Sequence, residues 1–115
     1  MKKIEFYIHP IVGKENKPTH DKYILLSYFL SDHSDAVTME RMIAELKEVQ
    51  SGQKTFEEVF TDKYGTIPIS VNAGWFECDL DNACLISNNP HLEPDVILPL
   101  PELIGILEEW KAFLQ

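Results

Sequence analysis

The stretch Trp75-Phe76-Glu77-Cys78-Asp79-Leu80-Asp81-Asn82-Ala83-Cys84 gathers three carboxylates, two thiols and an indole, and three chemistries compete for it. A nucleophilic cysteine needs a base and positive surroundings to lower its pKa, whereas Glu77, Asp79 and Asp81 act in the opposite direction. A calcium loop opening at Asp79-Leu80-Asp81-Asn82 requires Gly at its sixth position and Glu at its twelfth, where this chain has Cys84 and Pro90. Two readings remain: a solvated hairpin face with one half-covered tryptophan, and recognition of a cationic protein surface, in which carboxylates speed the encounter with Lys and Arg while a central aromatic supplies the desolvated anchor. On a strand, Glu77 and Asp79 share a face with Trp75, and Phe76, Cys78 and Leu80 take the other. Asp81 lies at the turn; Glu57, Glu58 and Asp62 precede the cluster and Glu93 and Asp95 follow it, completing the expected partner-binding set.

Other catalytic patterns fail. The chain has no phosphate loop, no G-x-S-x-G, no H-E-x-x-H and no dinucleotide glycine fingerprint, and its five glycines are dispersed. His9, His20, His33 and His91 lie in or beside loops without a second histidine at metal-ligand spacing. Pro94-Asp95 with Glu109-Trp110-Lys111 imitates a metal-dependent nuclease, but Glu109 and Lys111 fall on the solvent side of a helix. No catalytic residue, metal or cofactor is expected, and the protein reads as a non-enzyme.

Charge supports a basic protein partner. The 115 residues carry 19 acids and 10 bases, a net charge of −9, which argues against nucleic acid or an anionic membrane surface as the main partner. Residues 1–50 hold eight acids and seven bases, net −1, and residues 51–115 hold eleven acids and three bases, net −8. The half that contains the cluster therefore makes the field. No segment approaches the ~20 apolar residues that span a bilayer. After Met1-Lys2-Lys3 the chain is broken by Glu5, His9 and Pro10, so no apolar stretch of signal-peptide length is present and a cytoplasmic protein with reduced thiols is expected.

The elements that must position the cluster follow from periodicity. Ile4, Phe6 and Ile8 alternate with polar neighbours as a strand ending near Pro10; residues 13–21 read as a loop, and the apolar run Tyr23–Leu30 as a central strand that pairs with the first in a hairpin. Ala36, Met39, Ile43 and Leu46 predict an amphipathic helix between Ser34 or Asp35 and Gly52. Residues 53–65 fit either a helix with a Thr55/Glu58 capping box or a strand, with a turn at Asp62–Gly65. Ile67, Ile69 and Val71 form an edge strand because Pro68 removes a ladder donor. Trp75–Leu80 and Ala83–Ser87 flank Asp81-Asn82 as a hairpin; a two-residue turn there sets residue 78 against 85, and a three-residue loop sets Cys78 against Cys84. Val96–Leu98 is a short strand, and Leu103, Ile106, Leu107, Trp110, Phe113 and Leu114 give a terminal helix with Trp110 in the core.

The sum is one α+β domain spanning residues 1–115: a mostly antiparallel twisted sheet of five or six strands, with two main helices packed on one face and the other face partly wet.

The acidic charge, the size, the layout from Asp35 onward and the closing run Val96-Ile97-Leu98-Pro99-Leu100-Pro101-Glu102-Leu103 leading to Trp110, Phe113 and Leu114 resemble small bacterial immunity proteins of contact-dependent growth inhibition and other polymorphic toxin systems. The resemblance implies a cytoplasmic protein that binds a cognate, basic, nuclease-type toxin C-terminal domain and blocks its active site or substrate access. The matching residues are structural, so no binding residue is carried over from it. The alternative is a small acidic adaptor or subunit that binds another basic protein; the sequence does not fix the oligomeric state.

Overall fold

A computed structural model describes residues 2–60, 67–70 and 72–115 of the chain. Strands β1 (Ile4–His9) and β2 (Gly13–Pro18) form an antiparallel hairpin. A 3-10 turn at Asp21–Tyr23 leads into helix α1 (Ile24–Asp32), followed by α2 (Ala36–Gln50) and the single-turn α3 (Phe56–Val59). Strands β3 (Ile67–Ile69), β4 (Gly74–Cys78), β5 (Asn82–Ser87) and β6 (Val96–Pro99) make a second, four-stranded antiparallel sheet in the order β3-β4-β5-β6, and α4 (Leu100–Leu114) ends the chain.

The α+β class stands, but the single five- or six-stranded sheet does not: the strands divide into sheets of two and four, with four helices. The difference traces to residues 13–30. The segment 13–18, expected as a loop, is a strand, and Tyr23–Leu30, expected as a strand, is mostly helix. A three-residue loop, Pro10-Ile11-Val12, with Gly13 at φ 86° closes the β1–β2 hairpin, a turn that needs a left-handed residue there. Only Asn16 of β2 is buried, and its amide is tied down: Ser27 Oγ donates to its Oδ1 (2.7 Å), and its Nδ2 donates to Ser31 Oγ (3.1 Å). Leu25, Leu26, Phe29 and Leu30 are fully buried around α1 because the helix lies between the hairpin and the four-stranded sheet. A helix covered on several sides is apolar on several sides, so its sequence lacks the one-sided stripe that marks a surface helix.

Elsewhere the local signals decide the boundaries. Asp35 caps α2, its Oδ2 accepting from Thr38 N (3.1 Å) and Thr38 Oγ1 (2.8 Å), and Gly52 follows the helix at φ 79°. Thr55 and Glu58 form the reciprocal capping box of α3, which resolves part of the open segment 53–65 as helix. The turn expected at Asp62–Gly65 and the side chain of Val71 lie outside the described residues.

The core joins the three layers. Phe29 of α1 meets Phe76 of β4 at 4.9 Å between ring centroids, and Phe56 of α3 meets Phe76 edge-on at 5.7 Å. Trp110 of α4 is wholly buried; Phe6 of β1 packs on it at 5.3 Å, and its Nε1 donates to the His33 carbonyl at 3.0 Å. Helices α2 and α4 pack against each other, with Lys47–Glu108 and Lys111–Glu40 ion pairs across their outer groove. No helix among the described residues is long and apolar enough to cross a membrane.

Candidate functional site

The described helices pack against one face of the four-stranded sheet, and none of them covers the other, the open face. Cross-strand pairing shows which side chains stand on each. Ile67, Phe76, Leu85 and Val96 form one row, and Cys78, Ala83 and Leu98 another, all directed to the helices. On the open face Pro68, Trp75 and Ile86 form one row, Glu77, Cys84 and Ile97 the next, and Asn82 with Pro99 the last. Trp75 thus shares its face with Glu77, as the alternation requires, and stands half-buried beside Ile86, while Ile97 is 63 % exposed.

Backbone approach makes this face possible. At Gly74 a Cβ would lie 2.0 Å from the Ile86 carbonyl oxygen, so only glycine lets β4 come this close to β5 at the row's end. At the other end the turn sits one residue earlier than expected. Cys78 pairs with Ala83 and Glu77 with Cys84, which leaves Leu80-Asp81 as the tip. Asp79 fixes that tip: its Oδ1 accepts from Asp81 N and Asn82 N, both at 2.8 Å, and its own N donates to the Asn82 carbonyl at 3.0 Å. Hydrogen bonds from Asn82 and then Asp81 hold the Asp79 carboxyl below the usual range.

This register places the two thiols on opposite sides of the sheet, Cys78 toward the helices and Cys84 on the open face. Both are free. Burial, with Asp79 next, pushes the Cys78 thiol up to about 12, and burial, then Glu77 and Asp79, raises that of Cys84. These are poor nucleophiles, and their shifts register the negative field of the cluster.

The expected partner-binding residues separate into two groups. Glu57 of α3 lines a shallow cleft together with Glu77, Cys78, Asp79 and Cys84. Asp81 is exposed at the turn. Glu77 therefore stands on the same face as Trp75, one row away, Glu57 joins it at the cleft, and Asp81 projects from the hairpin tip at the far end of β4. The others are occupied internally. Glu58 closes the capping box, Asp79 holds the turn, and Asp95 Oδ1 accepts from Ser87 N at 2.7 Å. Glu93 is half-buried, with its Oε2 enclosed and without a hydrogen-bond partner among the described residues. Asp62 lies outside the described residues.

Among the described residues, ion pairs engage Glu5, Glu40, Glu48, Glu102 and Glu108, and none involves Glu57, Glu77, Asp79 or Asp81. No group of three or more His, Cys, Asp and Glu side chains among the described residues is placed to hold a metal ion. Sequence reasoning missed Pro68, Ile86 and Ile97, which complete the apolar part of the face. Their signal was the period of two, but using it required the strand register, and that depended on a turn displaced by one residue.

Comparison with protein families, with curated proteins and with solved structures finds no match for this chain.

Proposed function

We propose that this protein is a non-enzymatic binding protein that neutralises a cognate basic toxin domain, and that it does so through the open face of the four-stranded sheet. The observation that carries the reading is the row of partly buried Trp75 and Ile86 with the exposed Ile97 alongside, on the same face as Glu77 and toward the end of the sheet where Glu57 and Asp81 lie, carboxylates that no ion pair among the described residues neutralises. Apolar side chains left uncovered on a sheet face gain by removal from water, and carboxylates beside them favour a partner that brings Lys or Arg to the same place. The resemblance of the closing strand, prolines and helix to small acidic immunity proteins supports the same direction.

In this arrangement the field raises the rate of encounter, Trp75 enters a pocket of the partner, and the bulk of the sheet occludes the toxin's active site or its approach to substrate. The protein acts in the compartment where the toxin would do damage, the cytoplasm.

The test is co-expression with the C-terminal domain of the large secreted protein encoded immediately upstream. Protection of the cells, with a complex whose association slows as salt rises, is the expected result. Growth arrest in the presence of the intact chain, or the lack of such an upstream gene, overturns the toxin reading and leaves a basic protein of another kind as the partner.

A further inference from the structure

The edge strands of the two sheets are not equally protected. Three of them carry a proline: Pro68 within β3, and Pro18 and Pro99 as the last residues of β2 and β6. The outer side of β2 is also packed on α1. Strand β1, Ile4-Glu5-Phe6-Tyr7-Ile8-His9, has neither proline nor lysine within it, the two residue types that blunt an exposed edge.

Its free hydrogen-bonding groups are identifiable. Thr19 N donates to the Lys3 carbonyl at 2.9 Å, and Pro18, opposite Ile4, has no N–H to donate. Antiparallel pairs alternate, so Lys3, Glu5, Tyr7 and His9 bond to β2, and the N–H and C=O groups of Ile4, Phe6 and Ile8 point away from it. Ile4 is buried, which confines the open edge to Phe6–Ile8. Three exposed apolar side chains adjoin that edge: Ile8 at 71 %, and at the hairpin tip Ile11 at 87 % and Val12.

We propose that β1 is a self-association edge, on which a second copy of this chain pairs antiparallel across a two-fold axis at Tyr7. Phe6 and Ile8 of each copy then exchange main-chain hydrogen bonds with Ile8 and Phe6 of the other, which satisfies the free groups. The same register sets Tyr7 against Tyr7 and Glu5 against His9, with no like charges opposed, and brings the exposed Ile8 beside Phe6 of the second copy. It also ends where it should. The next outward-facing position would match Ile4 with Pro10, which has no N–H, and the other edges are protected, so pairing closes as a dimer and does not propagate. None of these residues belongs to the open face of the four-stranded sheet.

Sedimentation velocity over a concentration series tests the proposal on the intact chain. The expected result is a doubling of mass at high concentration, lost in Ile8→Pro and in Ile8→Lys and kept in Ile97→Lys. Ile8→Pro removes an N–H that the hairpin does not use; should it fold poorly, Ile8→Lys carries the test, with an unchanged melting curve as the control. In a Cys78→Ala/Cys84→Ala background, Tyr7→Cys should form an intermolecular disulfide. A chain that stays monomeric throughout overturns the proposal, including the case in which β1 instead takes up an extended peptide of another protein. So does a dimer that survives both Ile8 variants, or one abolished by Ile97→Lys.

Discussion

Trp75 on β4 stands directly opposite Ile86 on β5, on the side of the sheet that no helix among the described residues covers. An aromatic facing a β-branched residue is a favourable cross-strand pair, and both side chains here are partly buried, each keeping a minor part of its surface in contact with water.

The first prediction concerns how that face binds. Glu57→Lys with Glu77→Lys should slow association with the basic partner and flatten its salt dependence, because steering acts on the encounter. Trp75→Ala should mainly speed dissociation and cost about 2 kcal/mol, roughly thirtyfold in affinity. Stopped-flow and surface-binding kinetics separate the two. Equal losses for the reversal Glu40→Lys with Glu45→Lys on α2 would show a global field and not a local site.

The terminal helix should be structural. Trp110→Ala empties a fully buried aromatic site and should destabilise the fold by about 3 to 5 kcal/mol. Trp110→Phe keeps most of the volume but leaves the His33 carbonyl without its donor, for a smaller loss of about 1 to 3 kcal/mol. Urea unfolding of both variants measures the difference, and an Ala variant as stable as the parent would contradict the packing described.

Thiol chemistry should be quiet. Cys84 should label slowly in native protein at neutral pH and Cys78 more slowly still, and denaturant should release both. Because the side chains lie on opposite sides of the sheet, oxidation should produce no intramolecular bridge. Mass spectrometry of air-oxidised protein checks this; a uniformly bridged population would refute the register.

Acid stability should follow Asp79 and Asp35, whose carboxyls are both held low, Asp79 by the Asn82 and Asp81 amides and Asp35 by the Thr38 hydroxyl and amide. A folded pKa below the unfolded one means stability that is complete above the ordinary aspartate value of about 4 and is lost as pH falls through the depressed values. Carboxyl-carbon NMR titration should place both groups below that range. Asp79→Asn, which keeps an acceptor at the turn, should weaken the pH dependence of the melting temperature.

Much of this was legible in the sequence where a local cause acts. The Asp35 cap, the Thr55/Glu58 capping box and the edge-strand role of Pro68 depend on neighbours a few residues away. What failed depended on distant packing. Tyr23–Leu30 is apolar enough for a strand or a covered helix, and only the two sheets on either side of it decide the matter. The polar segment 13–18 is a strand because Asn16 finds Ser27 and Ser31 on α1. In the candidate site, Trp75 and Glu77 were found together from alternation alone, whereas Glu58, Asp79 and Asp95 turned out to be tied to backbone amides, contacts that charge counting does not reveal.

The strict alternation along β4, β5 and β6 separates two kinds of evolutionary constraint within single strands. Positions 76, 83, 85, 96 and 98 are fixed by the volume they fill beneath the sheet, and Gly74 by the oxygen it must clear. Positions 75, 77, 84, 86 and 97 lie on the opposite face and are not part of the packed core, so a change there need not disturb what lies beneath. A lineage can rewrite what this face presents, substitution by substitution, while inheriting the same scaffold unchanged.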